Sequence, residues 1–525
     1  MKPGEPDPVG GRYARYALIV LIVVYVFNFI DRQILSILAE EIKADLGITD
    51  SEIGFLYGTA FAVFYAVFGI PLGRLADVWV RRTLIAGGLA FWSLMTALSG
   101  TARSFFSLAI YRFGVGIGEA SATPASFSML SDLFPPQYRA TVLSIYSGGI
   151  YIGAGIGLFL GGVVVDGWKA MYPADTAPLG LEAWQVAFFV VGLPGLLLAL
   201  WVLSLREPQR GLSEGLEVPA HPAPFSAAWA SLCSVLPPLT IYSLWRNDGP
   251  TAVLWNLLVA AGIALVAWLL NRLVPAPLQW IALGVGVYAA ASWVQGQRRL
   301  DPVAYTLMFG SRAFLCATIG FPVISFMTYG IGFWTPPYIV RHFGVSLAEA
   351  GTLLGLTAAV GGWLGITAGG IWADRWKRTN PNARLYIGAL VPVLTVPVIV
   401  LFLYTDSTAV AYSLNFVLSV FSTLWIGAAA STVTDLVLPQ QRATASAYYV
   451  LMNTFVGLAL GPFVIGQLSD GYAASGMAAD VALRAGMLTS LVVLVVAVLA
   501  LLVASRYLAQ DEASRLDRAA AVTTD

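Results

Sequence analysis

Four ionisable side chains lie inside long apolar stretches of the sequence: Asp31, Arg32, Arg112 and Glu119. An ionisable side chain at the centre of a membrane-spanning helix costs about 2.5–3.5 kcal/mol, so each of these residues is a functional candidate. Protonation of a buried carboxylate beside an arginine would release that arginine. We therefore predict that Asp31 and Glu119 take up protons, and that Arg32 and Arg112 bind an anionic group through their guanidinium forks.

Helix geometry limits which of these residues can pair. Asp31 and Arg32 are adjacent and therefore about 100° apart around a helix, while Arg112 and Glu119 are separated by about 10.5 Å of helical rise. Partners must come from different helices, and we expect Asp31 to pair with Arg112 and Arg32 to reach Glu119. The alternative interpretation is a permanent pair of ions that only holds two helices together.

Other chemistries lack their residue patterns. His221 and His342 are isolated, and the cysteines, Cys233 and Cys316, are too few for a thiolate metal site. The sequence contains neither a GxxxxGK[ST] phosphate loop nor a GxSxG nucleophile motif. With 29 basic and 29 acidic residues, it has no charge excess that favours nucleic acid. We expect no metal, no cofactor, no nucleic-acid partner and no enzymatic activity.

The elements that must position the four charges are membrane-spanning helices. Of the 525 residues, 58% are hydrophobic and 11% charged, which indicates an integral membrane protein. A span needs about 20 apolar residues. Twelve such stretches centre on residues 17–38, 53–72, 84–102, 105–130, 142–165, 184–205, 313–340, 347–371, 384–404, 409–434, 443–468 and 481–508. Two more, at 251–271 and 278–294, either span the bilayer or form a re-entrant hairpin.

Positive charge predicts the orientation. With the N-terminus inside and both extra stretches spanning, 21 of the 29 Lys and Arg residues lie on the cytoplasmic side. The prediction is a cytoplasmic tail at 1–16, a six-helix bundle at 17–205, a central cytoplasmic linker at 206–312 with the two extra segments, a second bundle at 313–508 and a cytoplasmic tail at 509–525. We place the chain in a bacterial inner membrane, as a monomer.

The two halves are repeats of one another. A shift of 297 residues places GRLADVWVRR (73–82) on GIWADRWKRT (370–379), and a shift of 303 places DLFPPQYRAT (132–141) on DLVLPQQRAT (435–444). Parallel repeats joined by a cytoplasmic linker predict an all-α transporter of two six-helix bundles, with substrate held between them near mid-membrane.

These motifs resemble those of the major facilitator superfamily. Within it, the stretches 27–56 and 112–141 resemble the spinster family, which implies an amphiphilic lipid cargo, such as a lysophospholipid or a sphingosine phosphate, moved by alternating access with proton coupling. The resemblance also implies a cytoplasmic gate that does not touch substrate. Its predicted members are Gly73, Asp77, Arg81, Arg82, Asp132, Arg139, Gly370, Asp374, Arg378, Asp435 and Arg442.

The same resemblance implies a central cavity with an aromatic lining that would hold an acyl chain. The predicted lining residues are Tyr146, Tyr151, Phe326, Thr328, Tyr329, Trp425, Tyr448, Tyr449 and Asn453. Pro336 and Pro337 predict a break in the seventh span near its outer end. Two other functions stay open: a proton-coupled antiporter for drugs or small solutes, and a passive lipid scramblase or non-transporting sensor.

Overall fold

The structure is a computed structural model that describes residues 9–172, 176–211, 213 and 221–523. Throughout the described part of the chain, the regular elements are helices. The N-terminal half contains α1 (Arg12–Ile37), α2 (Ala39–Leu46), α3 (Asp50–Tyr57), α4 (Thr59–Val78), α5 (Arg81–Ser99), α6 (Phe105–Glu119), α7 (Ala122–Leu133), α8 (Arg139–Ser147), α9 (Gly149–Met171) and α10 (Ala183–Leu203).

Five helices connect the halves: α11 (Pro224–Val235), α12 (Leu239–Asp248), α13 (Pro250–Leu273), α14 (Pro277–Leu300) and α15 (Pro302–Phe309). The C-terminal half contains α16 (Arg312–Phe343), α17 (Leu347–Lys377), α18 (Ala383–Tyr404), α19 (Thr408–Phe421), α20 (Ile426–Asp435), α21 (Arg442–Met452), the π-helix Asn453–Ala459, α22 (Leu460–Ala474), α23 (Ala479–Ser490), α24 (Leu494–Ala513) and α25 (Arg515–Thr523).

Several spans consist of two consecutive helices with a short break between them. The second span is α3 with α4, the fourth α6 with α7, the fifth α8 with α9, and the eleventh α21, the π-helix and α22. Within the described residues, twelve helices or helix pairs are long and apolar enough to cross a membrane; these include α13 and α14 but neither α5 nor the pair α6 and α7. The third span, α5, lies inside the N-terminal bundle, where it packs between α6 and α10.

The sequence specifies the ends of the helices at the outer face, as the charge distribution defines it. Thr49 and Glu52 form a capping box at the start of α3, and Ser346 caps α17 by accepting a bond from the Glu349 amide. At the opposite face, Asp511 of α24 accepts a 2.8 Å bond from the Ala313 amide in the first turn of α16. These side chains satisfy amides that the helices themselves leave without partners.

Glycines let the two bundles approach closely at the outer face. A Cβ at Gly155 of α9 would lie 2.5 Å from the carbonyl oxygen of Gly355 of α17, and one at Gly54 of α3 would lie 2.6 Å from that of Pro462. Only a residue without a side chain fits such contacts. The halves therefore meet backbone to backbone along the α9–α17 and α3–α22 pairs.

The connecting segment contains two helices that are long and apolar enough to cross a bilayer. Helices α13 and α14 have 24 residues each and are therefore about 36 Å long, which is enough to cross a bilayer. They are joined by a polar cluster in which Asn256 donates to Gln295 (2.9 Å) and accepts from Tyr288 (2.6 Å). Before them, α11 and α12 meet at a bend of 100°.

One local expectation is wrong, and helices extend into both predicted tails. Helix α16 continues through Pro336 and Pro337, because the flanking turns keep their helical bonds, so the predicted break is wrong. Helix α1 begins at Arg12, inside the predicted N-terminal tail, whose first eight residues lie outside the described part. The predicted C-terminal tail contains the end of α24 and then α25, which packs against α15.

Candidate functional site

A cavity of about 380 Å³ lies between the two halves at mid-depth. Its lining comes from α1, α3 and α9 on one side and from α16, α17, α19, α20, α21 and the π-helix on the other. Six of the nine residues predicted to line a cavity are among them: Tyr151, Thr328, Tyr329, Trp425, Tyr449 and Asn453.

Three predicted residues do not line the cavity. Tyr146 is fully buried in the N-terminal bundle, where its ring stacks on that of Tyr25 at 4.4 Å. Phe326 is buried beside α22, where its carbonyl oxygen would lie 2.6 Å from a Cβ at Gly461, and Tyr448 packs against Phe309. The prediction placed these residues at a depth in the membrane but did not specify how their helices are rotated. A shift of one position along a helix turns the side chain by about 100° around the axis.

Arg32 is the one of the four predicted charges that lines the cavity. Its Nε donates a 2.7 Å bond to Oε2 of Glu119, which is fully buried, so the expected contact between the two residues is present. Its guanidinium also lies 4.4–4.8 Å from the ring centroids of Phe29, Phe61 and Tyr65. A delocalised cation over aromatic faces is held in place with its terminal nitrogens still available.

The predicted ion pair between Asp31 and Arg112 is wrong for this conformation. Arg112 donates instead to the backbone carbonyl oxygen of Asp31, at 3.3 Å, and no pair between the two side chains occurs within 4.0 Å. Both side chains are buried and neither lines the cavity, so Arg112 does not face a substrate here. Depth brings their helices together, but the rotation of α1 directs its backbone toward Arg112.

A group of buried polar atoms surrounds Asp31, and the side chains of Thr96 and Trp92 face its carboxyl group at more than ordinary hydrogen-bond distance or angle. The group comprises Oδ1 of Asp31, Oε1 of Glu119, Nε and Nη2 of Arg112, the indole nitrogen of Trp92 and the hydroxyl of Thr96. Buried polar atoms normally have partners, and those that lack them mark a site where protons or waters act. The N-terminal bundle therefore buries Asp31, Arg112 and Glu119 together, with Arg32 between this cluster and the cavity.

The sequence analysis missed Gln33 and Tyr57, which line the cavity beside Arg32. The Tyr57 hydroxyl donates to Oε1 of Gln33 at 3.4 Å, and the Tyr57 ring lies 4.4 Å from that of Phe333 across the two halves. Gln33 directly follows the charged pair of α1, which was the available signal. Tyr57 carried no signal, because tyrosine is common in membrane helices.

The opposite wall contains polar side chains whose donors are already used. The Asn415 side-chain amide donates to the Thr357 hydroxyl at 2.7 Å, and the Ser419 hydroxyl donates to the backbone carbonyl oxygen of Asn415 at 2.8 Å. The Trp425 indole donates to the Ser422 carbonyl oxygen at 2.8 Å. These three donors are therefore already engaged, whereas the side-chain oxygen of Asn453 on the same wall accepts no hydrogen bond from a described residue.

At the inner face of the N-terminal half, Arg81 is the centre of a buried network. It binds Asp132, donates to Glu207 (2.7 Å) and donates to the Pro208 carbonyl oxygen (2.8 Å). Arg82 donates to the Leu205 carbonyl oxygen, and Arg139 to that of Ser131. Of the other residues predicted for this gate, Asp77 is exposed, and a Cβ added at Gly73 would have no neighbour within 4 Å.

The C-terminal half builds its network from a different arginine. Arg384 donates to Asp374 (3.0 Å) and to Asp435 (2.5 Å), which also binds Lys377. The repeat predicted Arg378 for this place, together with Gly370 and Arg442. In the structure both arginines are exposed and form no ion pair with a described residue. Each network lies within its own half.

At the outer face, by contrast, ion pairs cross between the halves. Arg341 of α16 binds Asp50 (2.5 Å) and Glu40 (2.7 Å) of the N-terminal half. Asp470 of α22 accepts bonds from the amides of Asp50 (2.9 Å) and Ser51 (2.8 Å) and so caps α3 from the other bundle. We call Glu40, Lys43, Asp50, Arg341, Ser469 and Asp470 the outer network. It closes the cavity on that side.

Two helical bundles around a central cavity form an architecture that can be compared with known transporter families. The sequence profile described as Major Facilitator Superfamily matches residues 21–462, most of the chain. The chain belongs to this superfamily. The prediction of two bundles in the major-facilitator fold is thereby confirmed.

The relatives support the predicted resemblance to spinster proteins. Protein spinster homolog 1 of Homo sapiens is 26% identical over 476 residues, which cover 87% of this chain and 73% of that protein. An MFS-type efflux pump of Mycolicibacterium smegmatis is 29% identical over 464 residues, 88% of this chain and 86% of the pump. A crystal structure of a bacterial homolog of the human lysosomal transporter spinster, inward-facing and occupied, has a TM-score of 0.72 at 24% identity and covers 95% of this chain and 98% of its own.

Proposed function

We propose that this member of the Major Facilitator Superfamily is a proton-coupled transporter of an anionic amphiphile, of the lysophospholipid or sphingosine-phosphate class, that works by alternating access. The observation that carries the proposal is Arg32, which presents a guanidinium to the cavity and is bonded through Nε to the buried Glu119.

Charge balance supports coupling to protons. Asp31 and Glu119 carry two negative charges and Arg32 and Arg112 two positive charges, so the buried cluster is neutral when all four are ionised. One proton on either carboxylate leaves an uncompensated positive charge next to the cavity. Because charge is costly in a medium of low polarity, an anion in the cavity and a proton in the cluster favour each other's binding.

The shape and lining of the cavity support an amphiphile. The charged end is the α1 wall with Arg32, Gln33 and Tyr57, while the wall of α9 and α17 is built from Ile150, Leu158 and other apolar residues. A phosphate would bind the guanidinium. An acyl chain would lie along the apolar wall, where it needs no hydrogen-bond partner.

The two faces of the molecule support alternation. Cross-half ion pairs close the outer face, whereas the described ion pairs of the inner face each remain within one half. Orientation by positive charge makes this an inward-facing state, with both termini in the cytoplasm of a bacterial cell. The inner networks would then meet across the halves in the opposite state, as the predicted gate requires.

A second candidate, a proton-linked antiporter for drugs or other small solutes, is favoured by the efflux pump of Mycolicibacterium smegmatis. The same cavity would serve a cationic drug poorly, because Arg32 would repel it. A neutral or anionic solute would fit equally well. A passive scramblase or a sensor would show no dependence on a pH gradient, and Asp31→Asn would leave its activity intact.

The test is uptake of a labelled lysophospholipid into proteoliposomes with and without an imposed pH gradient. We expect uptake driven by the gradient in the wild-type protein and its loss in Asp31→Asn. Asp406→Asn, which changes an exposed carboxylate in the loop before α19, is the matched control and should transport normally. Uptake indifferent to both the gradient and Asp31→Asn would indicate facilitated diffusion or scrambling. No uptake of any lysolipid would favour the small-solute antiporter.

A further inference from the structure

The second and eleventh spans belong to different halves, and we call the line along which they meet the seam. It contains a separate apolar cluster with residues from the N-terminal half, the C-terminal half and the connecting segment. Val63 and Val67 belong to α4 of the N-terminal half, and Leu451 and Phe455 belong to α21 and the π-helix of the C-terminal half. The remaining members, Val235 and Ala289, come from α11 and α14 of the connecting segment. Each of these side chains is less than 10% exposed. Helices of the connecting segment therefore bury residues of both halves at this seam.

Helix α14 fits the seam through small residues. A Cβ at Gly286 would lie 2.7 Å from the Phe455 ring and 3.3 Å from Val63, so this position touches both halves at once. Ala289 and Ala290 follow at helical spacings of three and four and face the same cluster. Small residues at such spacings let helices pack closely inside a bilayer, where the hydrophobic effect does not drive association.

Contacts at other depths extend the fit along the seam. Toward the outer face, the Trp280 ring of α14 meets the Phe463 ring of α22 edge to face at 5.7 Å. Toward the inner face, the Phe225 ring at the start of α11 lies 5.0 Å from that of Trp79, the residue after α4. Between these points lies the cluster itself. The cover thus runs from the inner end of α4 to the outer part of α22.

Both seams bring the halves into direct contact at the outer side, as α3 and α22 do at the first, but α11 and α14 pack on the first seam and not on the opposite one. There α9 and α17 pack directly, with Gly155 facing Gly355 and Gly351 facing Leu158 at the outer side. Both helices line the cavity, through residues such as Tyr151 and Gly362. The connecting segment thus distinguishes two seams that the twofold repeat would otherwise make equivalent.

We propose that α11 and α14 form a lateral cover that keeps the seam between the second and eleventh spans closed to the hydrocarbon chains of the bilayer. The π-helix that contributes Phe455 to this seam also contributes Asn453 to the cavity wall, so an acyl chain wedged beside Phe455 would reach the cavity lining within one turn. The cover prevents that entry.

The test uses the full-length protein in nanodiscs that contain a phospholipid with a diazirine in its acyl chain. Photolysis inserts the chain into any C–H bond that it touches, and peptide mapping locates the products. In the wild-type protein we expect labelling of exposed α13 residues such as Leu254 and Trp255 and no labelling of Val63, Val67 or Phe455. Seam labelling as strong as that of α13 would overturn the proposal, and this comparison needs no variant and no substrate.

A wedge variant adds a second readout. Gly286→Trp should push α14 away from Phe455 and raise labelling of the seam about tenfold or more, since overpacking a tight contact opens it. Gly262→Trp adds the same bulk to α13 at a position with no neighbour within 4 Å and should leave the seam unlabelled. Ala289→Leu is a milder wedge if Gly286→Trp does not fold. A folded wedge variant with an unlabelled seam would contradict the cover. Failure of lysolipid transport would not affect either result.

Discussion

Arg32 illustrates how a cation can be held firmly and still remain free to bind. Three aromatic rings surround its guanidinium, and one of its nitrogens is committed to Glu119. The rings restrict the side chain to one arrangement, so less entropy is lost when an anion binds. The same bond means that a change in the protonation of Glu119 is felt directly by the group that faces the cavity.

Glu119→Gln should remove coupling and stability together. The variant leaves Arg32 without its buried counter-charge, and breaking one partner of a buried pair costs about 3–5 kcal/mol of unfolding free energy. We expect loss of gradient-driven uptake and a lowered apparent melting temperature in detergent.

The double variant Arg32→Gln, Glu119→Gln separates these two effects. It removes both charges at once, so the melting temperature should recover in large part while transport stays absent. If the double variant regains transport, the pair of Arg32 and Glu119 only holds two helices together, and the alternative interpretation as a permanent ion pair is correct.

At this scale the sequence located the buried charges better than it predicted their contacts. The four charges stood out because apolar stretches rarely contain any, and the spacing of helices placed Arg32 within reach of Glu119. The choice of Arg112 between the Asp31 carboxylate and the Asp31 backbone depends on the rotation of α1 by a fraction of a turn, which apolar spans leave unspecified. The same uncertainty misplaced Tyr146, Phe326 and Tyr448.

Among the helices, the outer network holds the two halves together through several separate bonds. Asp50 lies at the N-terminus of α3 and there meets Arg341, Lys43 and Ser469. Asp470 meanwhile binds the amides at the same helix end. A helix N-terminus carries partial positive charge, so the carboxylate of one bundle holds the helix of the other. The bonds of Arg341, Ser469 and Asp470 cross between the halves and must break before the cavity opens outward, whereas the Lys43–Asp50 pair lies within the N-terminal half.

Arg341→Ala should shift the conformational equilibrium toward the outward-open state. Two cross-half ion pairs with little exposure disappear, and we expect the outward-open fraction to rise about tenfold or more. The measurement is labelling of Ser36→Cys by a membrane-impermeant thiol reagent, with Cys233 and Cys316 replaced by serine. Ser36 is fully buried beneath the closure, where it donates to the Phe333 carbonyl oxygen.

Lys169→Ala is the matched control for that experiment. Lys169 forms a 2.7 Å pair with Glu41 at the same face, but it is 53% exposed and both residues belong to the N-terminal half. Exposed pairs contribute about 0–1 kcal/mol, so labelling of Ser36→Cys should not change. Equal labelling in both variants would mean that the outer network does not hold the two halves together.

The helices themselves were largely predictable, since stretches of about 20 apolar residues have few alternatives in a bilayer. Their interruptions were not. Pro336 and Pro337 looked like a break, yet the α16 turns around them stay intact. The π-helix at Asn453–Ala459 carries no recognisable sequence signal.

For the molecule as a whole, the topology of the connecting segment is open to direct measurement. If α13 and α14 both cross the bilayer, a reporter fused at Arg272, in the last turn of α13, should be external, and one fused after Asp525 should be cytoplasmic. A cytoplasmic signal at Arg272 would contradict two full spans and require a re-entrant hairpin instead.

The repeat predicted the architecture of two halves but overstated their equivalence. Asp132 and Asp435 do occupy related places in the inner networks, whereas Arg81 is matched in function by Arg384 rather than by Arg378. The charged cluster belongs to one bundle alone. Divergence of this kind is invisible to a comparison of motifs, because it arises from which side chains reach a common carboxylate.

The position of the connecting segment in the chain has a consequence for biosynthesis. Residues 224–300 leave the ribosome before residues 442–474, which form the other side of their shared seam. Helices α11 and α14 can therefore settle on α4 while the C-terminal bundle does not yet exist. Since bundles of a large protein assemble from the N-terminus onward, the nascent first half gains a partner for its open flank during translation. The C-terminal half then packs against a surface on which α11 and α14 are already in place beside α4.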